Sequence, residues 1–269
     1  MTRETTLTAS RGKLVFGQGG FVLHRLEIGA ASLEGGRVGR RTAEIAGYIL
    51  PEGESEAARA AELERCRTLV CRIAADAAGF TLAHGGRQMR LTATGTPEFS
   101  SDAPLNGADA AYFTIRARSA EKEGSFAGAA ASVSARGLDG ALCFPLAISS
   151  ETVFGVLSHA GEIAIRNEGD MPAGFVAEIT AEGGDLTEVT LSLDADEIAV
   201  SYGLAEGRTM RIDTRTGSKD VRADGTSILA HCDWRSSFFH LPPGESRLAW
   251  RCAGTGHARM RVEFVPKFI

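Results

Sequence analysis

Short segments that alternate apolar and polar residues, separated by turn residues, are the feature that most constrains the fold of this chain. In the second half they recur about every 8–12 residues, and Leu186–Leu193 (LTEVTLSL) is the clearest of them. A period of two places the apolar side chains on one face of an extended chain, so each segment predicts a half-buried β-strand. Thirty-two glycines among 269 residues exceed the average share of about 7% and suit many tight turns. The chain is therefore predicted to be mainly β, with a β-sandwich in its second half.

One segment, at about residues 55–78, predicts an α-helix, so the fold class is mainly β with some helix (α+β). Ser55 or Glu54 can cap its first turn, because a side-chain oxygen there accepts a hydrogen bond from a free backbone amide. Gly79 follows its last residue and is typical of a helix end. The helix carries one apolar stripe at steps of three and four residues, made of Leu63, Cys66, Val70, Ile73 and Ala77. We expect this stripe to pack on a sheet or on a neighbouring subunit.

The length of 269 residues suits two domains of ordinary size, each able to bury its own core. Between residues 121 and 140 the composition drops to Ala, Ser and Gly with scattered charges, so we place a connection or domain boundary within residues 121–150. We therefore predict a first domain at residues 1–145, built of a sheet plus the helix. The second domain is predicted at residues 146–269, as the β-sandwich.

The charge of the chain disfavours binding to nucleic acid. Its net charge is −5 and its isoelectric point is about 5.8, whereas a protein that holds DNA carries a basic patch over the phosphates. The sequence has no run of about 18 apolar residues. Its start, MTRETTLTAS, lacks the positively charged stretch followed by an apolar stretch that an export signal has. We expect a soluble protein made in the cytoplasm, with neither sequence-specific DNA binding nor membrane insertion.

Residues that could carry out catalysis or bind a metal do not form a recognised pattern. The five cysteines are scattered without a C-x-x-C motif and are predicted to be small, buried hydrophobic residues. His231, Cys232 and His240 suggest a zinc site, but their spacing matches no usual ligand pattern. The acidic turn at residues 194–197 lacks the glycine and the distant acid of a calcium loop. No G-x-S-x-G or H-E-x-x-H motif is present, so we predict no enzyme, no catalytic residue, no cofactor and no metal.

Two turn motifs predict hairpins. The segment at residues 16–20 (FGQGG) is followed by strand-like sequence and not by a helix, which favours a hairpin turn over a phosphate-binding loop. Near the end of the chain stands SSFFHLPPGESRLAW, residues 236–250. Its Pro-Pro-Gly stops and reverses an extended segment, and Leu248 and Trp250 then alternate along a returning strand.

Three segments of the second half, taken in order, resemble the carboxy-terminal half of the siphophage distal tail protein family. They are IRNEGDMPAGFVAEI (165–179), GLAEGRTMRIDTRTGSKDVRADG (203–225) and FFHLPPGESRLAW (238–250). The family shows an elbow of the N-x-G-D type, then an IDT strand with a following turn, and then a hairpin of the F-x-L-x-P-G type. The matching residues are Asn167, Gly169, Asp170, Ile212, Asp213, Thr214, Gly225, Phe239, Leu241, Pro243 and Gly244.

The first half is similar to the same family, so the resemblance covers most of the chain. It has the early F-x-G-x-G hairpin, a helix after a few strands, two strands ending in TPEF at residues 96–99, and a later strand that reads AYFTIRA. Two departures stand in the second half. Ser246 replaces the asparagine usual after Pro-Gly, although serine can still hydrogen-bond back to the turn. Residues 173–175 lack the second proline often found after the elbow.

The resemblance implies a subunit of two parts, a first domain similar to a tail-tube protein and a galectin-like β-sandwich. Six copies would form a ring between the end of the tail tube and the host-recognition tip, with a central channel for DNA. The implied partners are further copies of the chain, the tail tube protein, and a tail tip or tail-associated protein. The implied location is the virion of a phage, or a phage-like particle, and the matched residues would hold the elbows and the hairpin in shape.

A carbohydrate-binding module for adhesion to the host surface is the alternative, because galectin-like sandwiches often bind sugars. Sugar sites usually present an exposed Trp or Tyr ring, and this chain has two Trp and three Tyr. Trp250 alternates with Leu248 and is predicted to lie in the core, which leaves Trp234 as the candidate glycan contact. A hydrolase of cell wall or polysaccharide at a tail tip is a third class, which no motif favours.

Overall fold

The chain divides into two compact units in the computed structural model. The first comprises Met1–Gly128 with Phe268–Ile269, and the second comprises Ala129–Lys267. The structure describes residues 4–31, 33–34, 37–100, 110–121, 124–136, 138–140, 155–157 and 159–269. The boundary predicted at 145/146 lies outside the described residues and stays a prediction. A strand on its N-terminal side, Ala131–Arg136, already pairs within the second unit.

Antiparallel strands and a long helix build the first unit. Its described strands are β1 (Thr5–Ala9), β2 (Gly12–Val15), β3 (Phe21–Ile28), β4 (Leu33–Glu34), β5 (Arg37–Val38), β6 (Thr42–Ile49), β7 (Phe80–His84), β8 (Arg87–Ala93), β9 (Glu98–Ser100), β10 (Ala111–Ser119) and β11 (Phe126–Ala127). The helix α1 spans Glu56–Ala74. The main sheet has the order β2-β1-β7-β8-β10-β6-β3, with β9 paired to β10 and β11 paired to β8.

The main sheet is rolled, because its two outermost strands are joined by a short link. β2 and β3 stand at opposite ends of the strand order, yet residues 16–20 alone connect them along the chain. The ring centroid of Phe113 on β10 lies 6.3 Å from that of Phe16 and 6.5 Å from that of Phe21. FGQGG is therefore a turn, but the predicted hairpin is wrong, since β2 pairs with β1 and β3 pairs with β6.

The apolar stripe of α1 packs on this sheet. Cys66, Val70 and Ile73 are buried in one core with strand residues such as Leu7 and Leu82. The cysteines follow their prediction only in part, because Cys66 is buried whereas Cys71 is exposed. Burial raises the pKa of the Cys66 thiol to about 11, so this side chain is neutral and behaves as a small hydrophobic residue.

The helix begins where predicted and ends earlier than predicted. Ser55 is the N-cap, and its Oγ accepts a hydrogen bond from the amide of Ala58 at 3.1 Å. The last helical residue is Ala74, although the sequence predicted residue 78. The reason is Asp76, whose carboxylate accepts from the amides of Ser10 at 2.8 Å and Ala78 at 3.0 Å and so draws the chain out of the helix.

Two facing sheets build the second unit. Its described strands are β12 (Ala131–Arg136), β13 (Leu138–Gly140), β14 (Gly155–Leu157), β15 (Ala160–Asn167), β16 (Phe175–Glu182), β17 (Leu186–Leu193), β18 (Asp196–Val200), β19 (Thr209–Asp213), β20 (Asp220–Ala223), β21 (Thr226–Ser227), β22 (Gly244–Gly254) and β23 (His257–Phe264). A short strand, β24 (Lys267–Phe268), follows β23 in the chain, and its Phe268 belongs to the first unit. One sheet has the order β12-β23-β16-β19-β20-β21 and the other β15-β22-β17-β18.

The inward-facing residues of these two sheets form one core. Phe175 and Ile179 of β16 belong to it from one sheet, and Leu191 of β17 with Trp250 of β22 from the other. This is the arrangement of a β-sandwich, in which alternate residues of each strand face the opposite sheet. The predicted fold class, mainly β with one helical segment in the first half, is confirmed. The galectin-like detail stays a prediction.

The hairpin predicted at residues 236–250 is only half correct. β22 begins at Gly244 and buries Leu248 and Trp250, as the alternation predicts. Residues 237–240, however, form no regular strand, and the ladder partners of β22 are β15 and β17. The preceding segment is instead fixed by the amide of Ser237, which bonds to the carbonyl of Glu197 at 2.8 Å, and by a single bridge at Leu241.

Candidate functional site

Three segments that are far apart in the sequence meet at one end of the sandwich. We call this place the elbow cluster and define it as Asn167, Gly169, Asp213, Thr214 and Leu241. Asn167 ends β15, Asp213 ends β19, and Leu241 lies just before β22. The cluster therefore joins all three segments on which the sequence resemblance depends.

Asn167 is the centre of the elbow cluster. Its side chain is 2% exposed, and its Nδ2 donates to the carbonyl oxygens of Met171 and Leu241, both at 3.0 Å. Its Oδ1 accepts from the amide of Gly169, also at 3.0 Å. One amide side chain thus bonds three backbone groups, those of Gly169 and Leu241 in buried positions and that of Met171 partly buried.

Gly169 is required by the close approach of Lys267. A Cβ at this position would lie 2.5 Å from the carbonyl oxygen of Lys267, which is shorter than any real contact of that kind. The same carbonyl accepts from the amides of Asp170 at 2.8 Å and Met171 at 3.2 Å. Asp170 itself is exposed at the rim of the elbow.

Leu241 and Phe239 anchor the segment that precedes β22. Leu241 exchanges two backbone hydrogen bonds with Ala173, at 2.8 and 2.9 Å, and its side chain is buried. The ring of Phe239 packs on Phe175 with centroids 5.5 Å apart and planes at 44°. The two predicted residues therefore hold the chain by different means, one through its backbone and the other through aromatic packing.

Asp213 and Thr214 fix the end of β19. The hydroxyl of Thr214 donates to the carbonyl of Phe175 at 3.1 Å and accepts from its amide at 2.9 Å. Asp213 is buried, and its carboxylate accepts from Nε of Arg215 at 2.9 Å and from Nη2 at 2.6 Å, with Arg211 at 3.5 Å. Burial by itself raises the pKa of Asp213, but the hydrogen bonds and charge of Arg215, aided by Arg211, outweigh it and hold that pKa below its usual value.

The remaining predicted residues lie around the start of β22. Pro243 is exposed, and Gly244 has φ +94°, a conformation that favours glycine, opposite Asn167 in the ladder. Ser246 does not form the hydrogen bond to the turn that the sequence suggested, because the buried Oγ of Ser246 has no partner among the described residues. A cavity of about 510 Å³ opens beside this serine, between Pro242 and Leu193.

Trp234 lies apart from the elbow cluster, on a tight turn. Its side chain is 86% exposed, and the guanidinium carbon of Arg235 lies 5.0 Å from its ring centroid. Asp233 holds the turn, because its carboxylate accepts from the amide of Arg235 at 2.8 Å and its carbonyl from the amide of Ser236 at 2.9 Å. The turn thus presents the indole rigidly to solvent.

Arg215 and Gly161 are structural residues that the sequence did not single out. Arg215 follows Asp213 at a spacing of two, a weak signal that a turn brings both side chains together. Gly161 lies against Trp250, where a Cβ would be 2.2 Å from the indole. It could not have been recognised, because β15 faces β22 only through long-range pairing.

The described side chains form no group of three or more His, Cys, Asp or Glu able to hold a metal ion. Likewise, no described helix combines the length and the apolar character needed to cross a membrane. The geometry of the elbow cluster is that of a structural joint, in which buried polar groups satisfy one another.

Comparison with known proteins finds one family match and one similar solved structure. Residues 168–268 match the model described as siphovirus-type tail component, C-terminal domain. Among solved structures, the chain is similar to SPP1 Dit (gp 19.1), described as a paradigm of the hub adsorption apparatus in phages that infect Gram-positive bacteria. The TM-score is 0.62 at 12% identity, over 98% of this chain and 99% of that one. No curated protein matches.

At 12% identity the likeness to SPP1 Dit shows the fold alone, whereas the family match concerns the second unit. Residues 168–268 of the second unit therefore match the C-terminal domain of a siphovirus-type tail component, as the resemblance of the second half to the distal tail protein family predicts, and the likeness of fold to SPP1 Dit extends over 98% of the chain.

Proposed function

We propose that this chain is a structural subunit of the distal end of a phage tail, or of a related phage-like particle. Copies of it, six in the leading version, close a ring that connects the tail tube to the host-recognition tip and leaves a channel for DNA. The observation that carries the proposal is the family match over residues 168–268, joined to a fold likeness that extends over the whole length of a hub protein.

The physical properties of the chain suit such a role. A ring of identical subunits needs a head-to-tail contact between two different patches of each copy. A stable contact of this kind buries about 800 Å² on each partner. The net charge of −5 lets the subunits line a channel without gripping DNA, because like charges repel the phosphates. The elbow cluster would keep the sandwich rigid while the ring transmits force or a signal to the tip.

The first prediction concerns the mass of the purified protein in solution. Six subunits of 28.4 kDa give a ring of about 170 kDa, which native mass spectrometry separates from a monomer. We expect the ring either in the protein alone or in its complex with the tail tube protein, because some ring subunits close only on a template. A monomer under both conditions contradicts the proposal, and duplex DNA binding that survives physiological salt contradicts the channel role.

A carbohydrate-binding role is the second candidate, and the exposure of Trp234 favours it. An exposed indole on a rigid turn can stack on the apolar face of a sugar ring. If this role is correct, we expect the protein to bind members of a glycan array and Trp234→Ala to abolish that binding without changing the ring mass. Arg72→Ala, which removes an exposed side chain elsewhere, is the control. Absence of glycan binding by the unaltered protein excludes this role and leaves the ring proposal intact.

A further inference from the structure

Opposite charges collect at the two ends of strand β6 in the first unit. We call Arg40, Arg41 and Arg118 the basic corner, because the first two precede Thr42 and the third pairs with it. We call Glu52, Glu54 and Glu56 the acidic loop, which follows the last residue of β6. The eight residues of the strand, at about 3.3 Å each, separate the two ends by about 26 Å. The two patches of one copy are therefore too far apart to neutralise each other.

Arg41 is unusual because its side chain is buried and no residue in the described part of the chain supplies a counter-charge. Its side chain is 9% exposed, its Nε has no hydrogen-bond partner, and it forms no ion pair within the described part of the chain. Its backbone is fixed by the carbonyl that accepts from the amide of Ser119 at 2.8 Å and by the close packing of Gly124. Buried charges in proteins are normally paired, since an unpaired one loses its hydration without compensation.

The other two arginines of the basic corner also have no acidic partner among the described residues. Arg40 and Arg118 are exposed, and neither forms an ion pair with any described residue. The carboxylates of the neighbouring strands are already used, because Arg116 pairs with Glu44 at 3.5 Å and with Glu98. The corner therefore carries positive charge that the described part of its own unit does not neutralise.

The acidic loop has the complementary character. Its three glutamates are exposed, and none of them forms an ion pair with another described residue. The N-cap of Ser55 holds the loop against the start of α1, so the carboxylates project from a fixed turn and not from a loose segment. A rigid turn loses less conformational freedom on docking than a disordered one.

We propose that the acidic loop of one copy docks on the basic corner of the next copy, and that a glutamate carboxylate is the missing partner of Arg41. This inference rests on the proposed ring and names its contact. Patches at opposite ends of one unit give a heterologous contact, the type that closes a ring when the rotation fits. Arginine matches a carboxylate through two parallel hydrogen bonds, which also sets the orientation.

A second copy fits the basic corner better than DNA does. The complementary acidic surface is present on the same chain, at the far end of the same strand. DNA binding would instead need an extended basic face, and a chain with a net charge of −5 offers three clustered arginines here beside strands whose other charges are paired.

The experiment uses two reciprocal charge reversals in the full chain. Arg40→Glu with Arg118→Glu makes both ends acidic and leaves the buried Arg41 in place, whereas Glu52→Arg with Glu54→Arg makes both ends basic. We expect the dissociation constant of the ring to rise about tenfold or more for each variant alone. In an equimolar mixture the two variants can alternate around the ring, so that every contact joins opposite charges, and we expect the wild-type dissociation constant. Arg72→Glu with Arg251→Glu, and Glu188→Arg with Glu206→Arg, are controls with the same changes in charge at exposed positions.

Native mass spectrometry and light scattering measure the assembly, under whichever of the two conditions above yields the ring, and circular dichroism checks that each variant folds. Recovery on mixing supports the interface, since a folding defect would not be cured by a partner. If neither reversal changes the wild-type ring, the interface is overturned and the ring proposal stands. If the wild-type chain forms no ring in either condition, both are overturned. If Arg40→Glu with Arg118→Glu loses DNA binding and still forms the wild-type ring, the basic corner binds nucleic acid, and the inference is also overturned.

Discussion

Replacement of Trp250 by alanine is expected to lower the free energy of unfolding of the second unit by about 3–5 kcal/mol. Trp250 is 1% exposed and has the largest of the fully buried side chains. It lies on β22, the strand that pairs with both β15 and β17, so the cavity would open at the middle of one sheet. Gly161, which pairs with Trp250 in the ladder and lies against the indole, has no side chain that could fill that space. Because domains of this size have a stability of about 5–15 kcal/mol, the loss is a large fraction of the total.

Trp234→Ala provides a matched control for this prediction. It removes the same side chain from an exposed turn, and we expect it to change the free energy of unfolding by less than about 0.5 kcal/mol. Both variants are compared in urea by far-UV circular dichroism, at a concentration where all proteins are the same oligomer. A Trp250→Ala loss no larger than that of Trp234→Ala would contradict the assignment of Trp250 to the core.

The sequence predicts individual strands of this fold better than it predicts their partners. Alternation identifies the buried residues of β17 and β22, and the capping residue Ser55 identifies the start of α1. Both predicted hairpins fail in their pairing, although the turn at residues 16–20 and the strand that begins at Gly244 are present. Strand pairing depends on contacts between residues far apart in the chain, such as those of β3 with β6, and a local pattern does not contain that information.

The candidate sites, too, were predicted only where the signal is local in the sequence or comes from the family resemblance. The residues of the elbow cluster were singled out by resemblance, and the fold then explains them, because Asn167 and Leu241 are 74 residues apart and share a hydrogen bond. The exposed state of Trp234 agrees with its selection as a surface residue. The burial of Arg41 could not have been predicted, since an arginine at a strand end is usually solvated and its contacts with Ser119 and Gly124 join residues about 80 positions apart in the chain.

Replacement of Asn167 by alanine is expected to lower the free energy of unfolding of the second unit by about 2–4 kcal/mol. The change leaves the buried amide of Gly169 without its partner and removes one donor each from the carbonyls of Met171 and Leu241, of which the carbonyl of Leu241 keeps its bond from Ala173. The elbow would then be held by fewer bonds exactly where the three segments of the family pattern meet. Urea denaturation followed by circular dichroism measures the loss, and Gln88→Ala, which removes an exposed amide, is the control.

Asn167→Asp separates the role of Asn167 as a hydrogen-bond acceptor from its role as a donor. Aspartate keeps the acceptor for Gly169 but loses both donors and faces the carbonyl oxygens of Met171 and Leu241 with a negative charge. Burial and these carbonyls should raise the pKa of the new carboxyl above its unfolded value, so the folded state binds the proton more tightly. Stability relative to wild type should therefore improve as the pH falls and worsen as it rises through the folded pKa. If Asn167→Asp is as stable as wild type at neutral pH, the donors of Asn167 do not hold the elbow, and the joint depends on the packing around Gly169 and Phe239 instead.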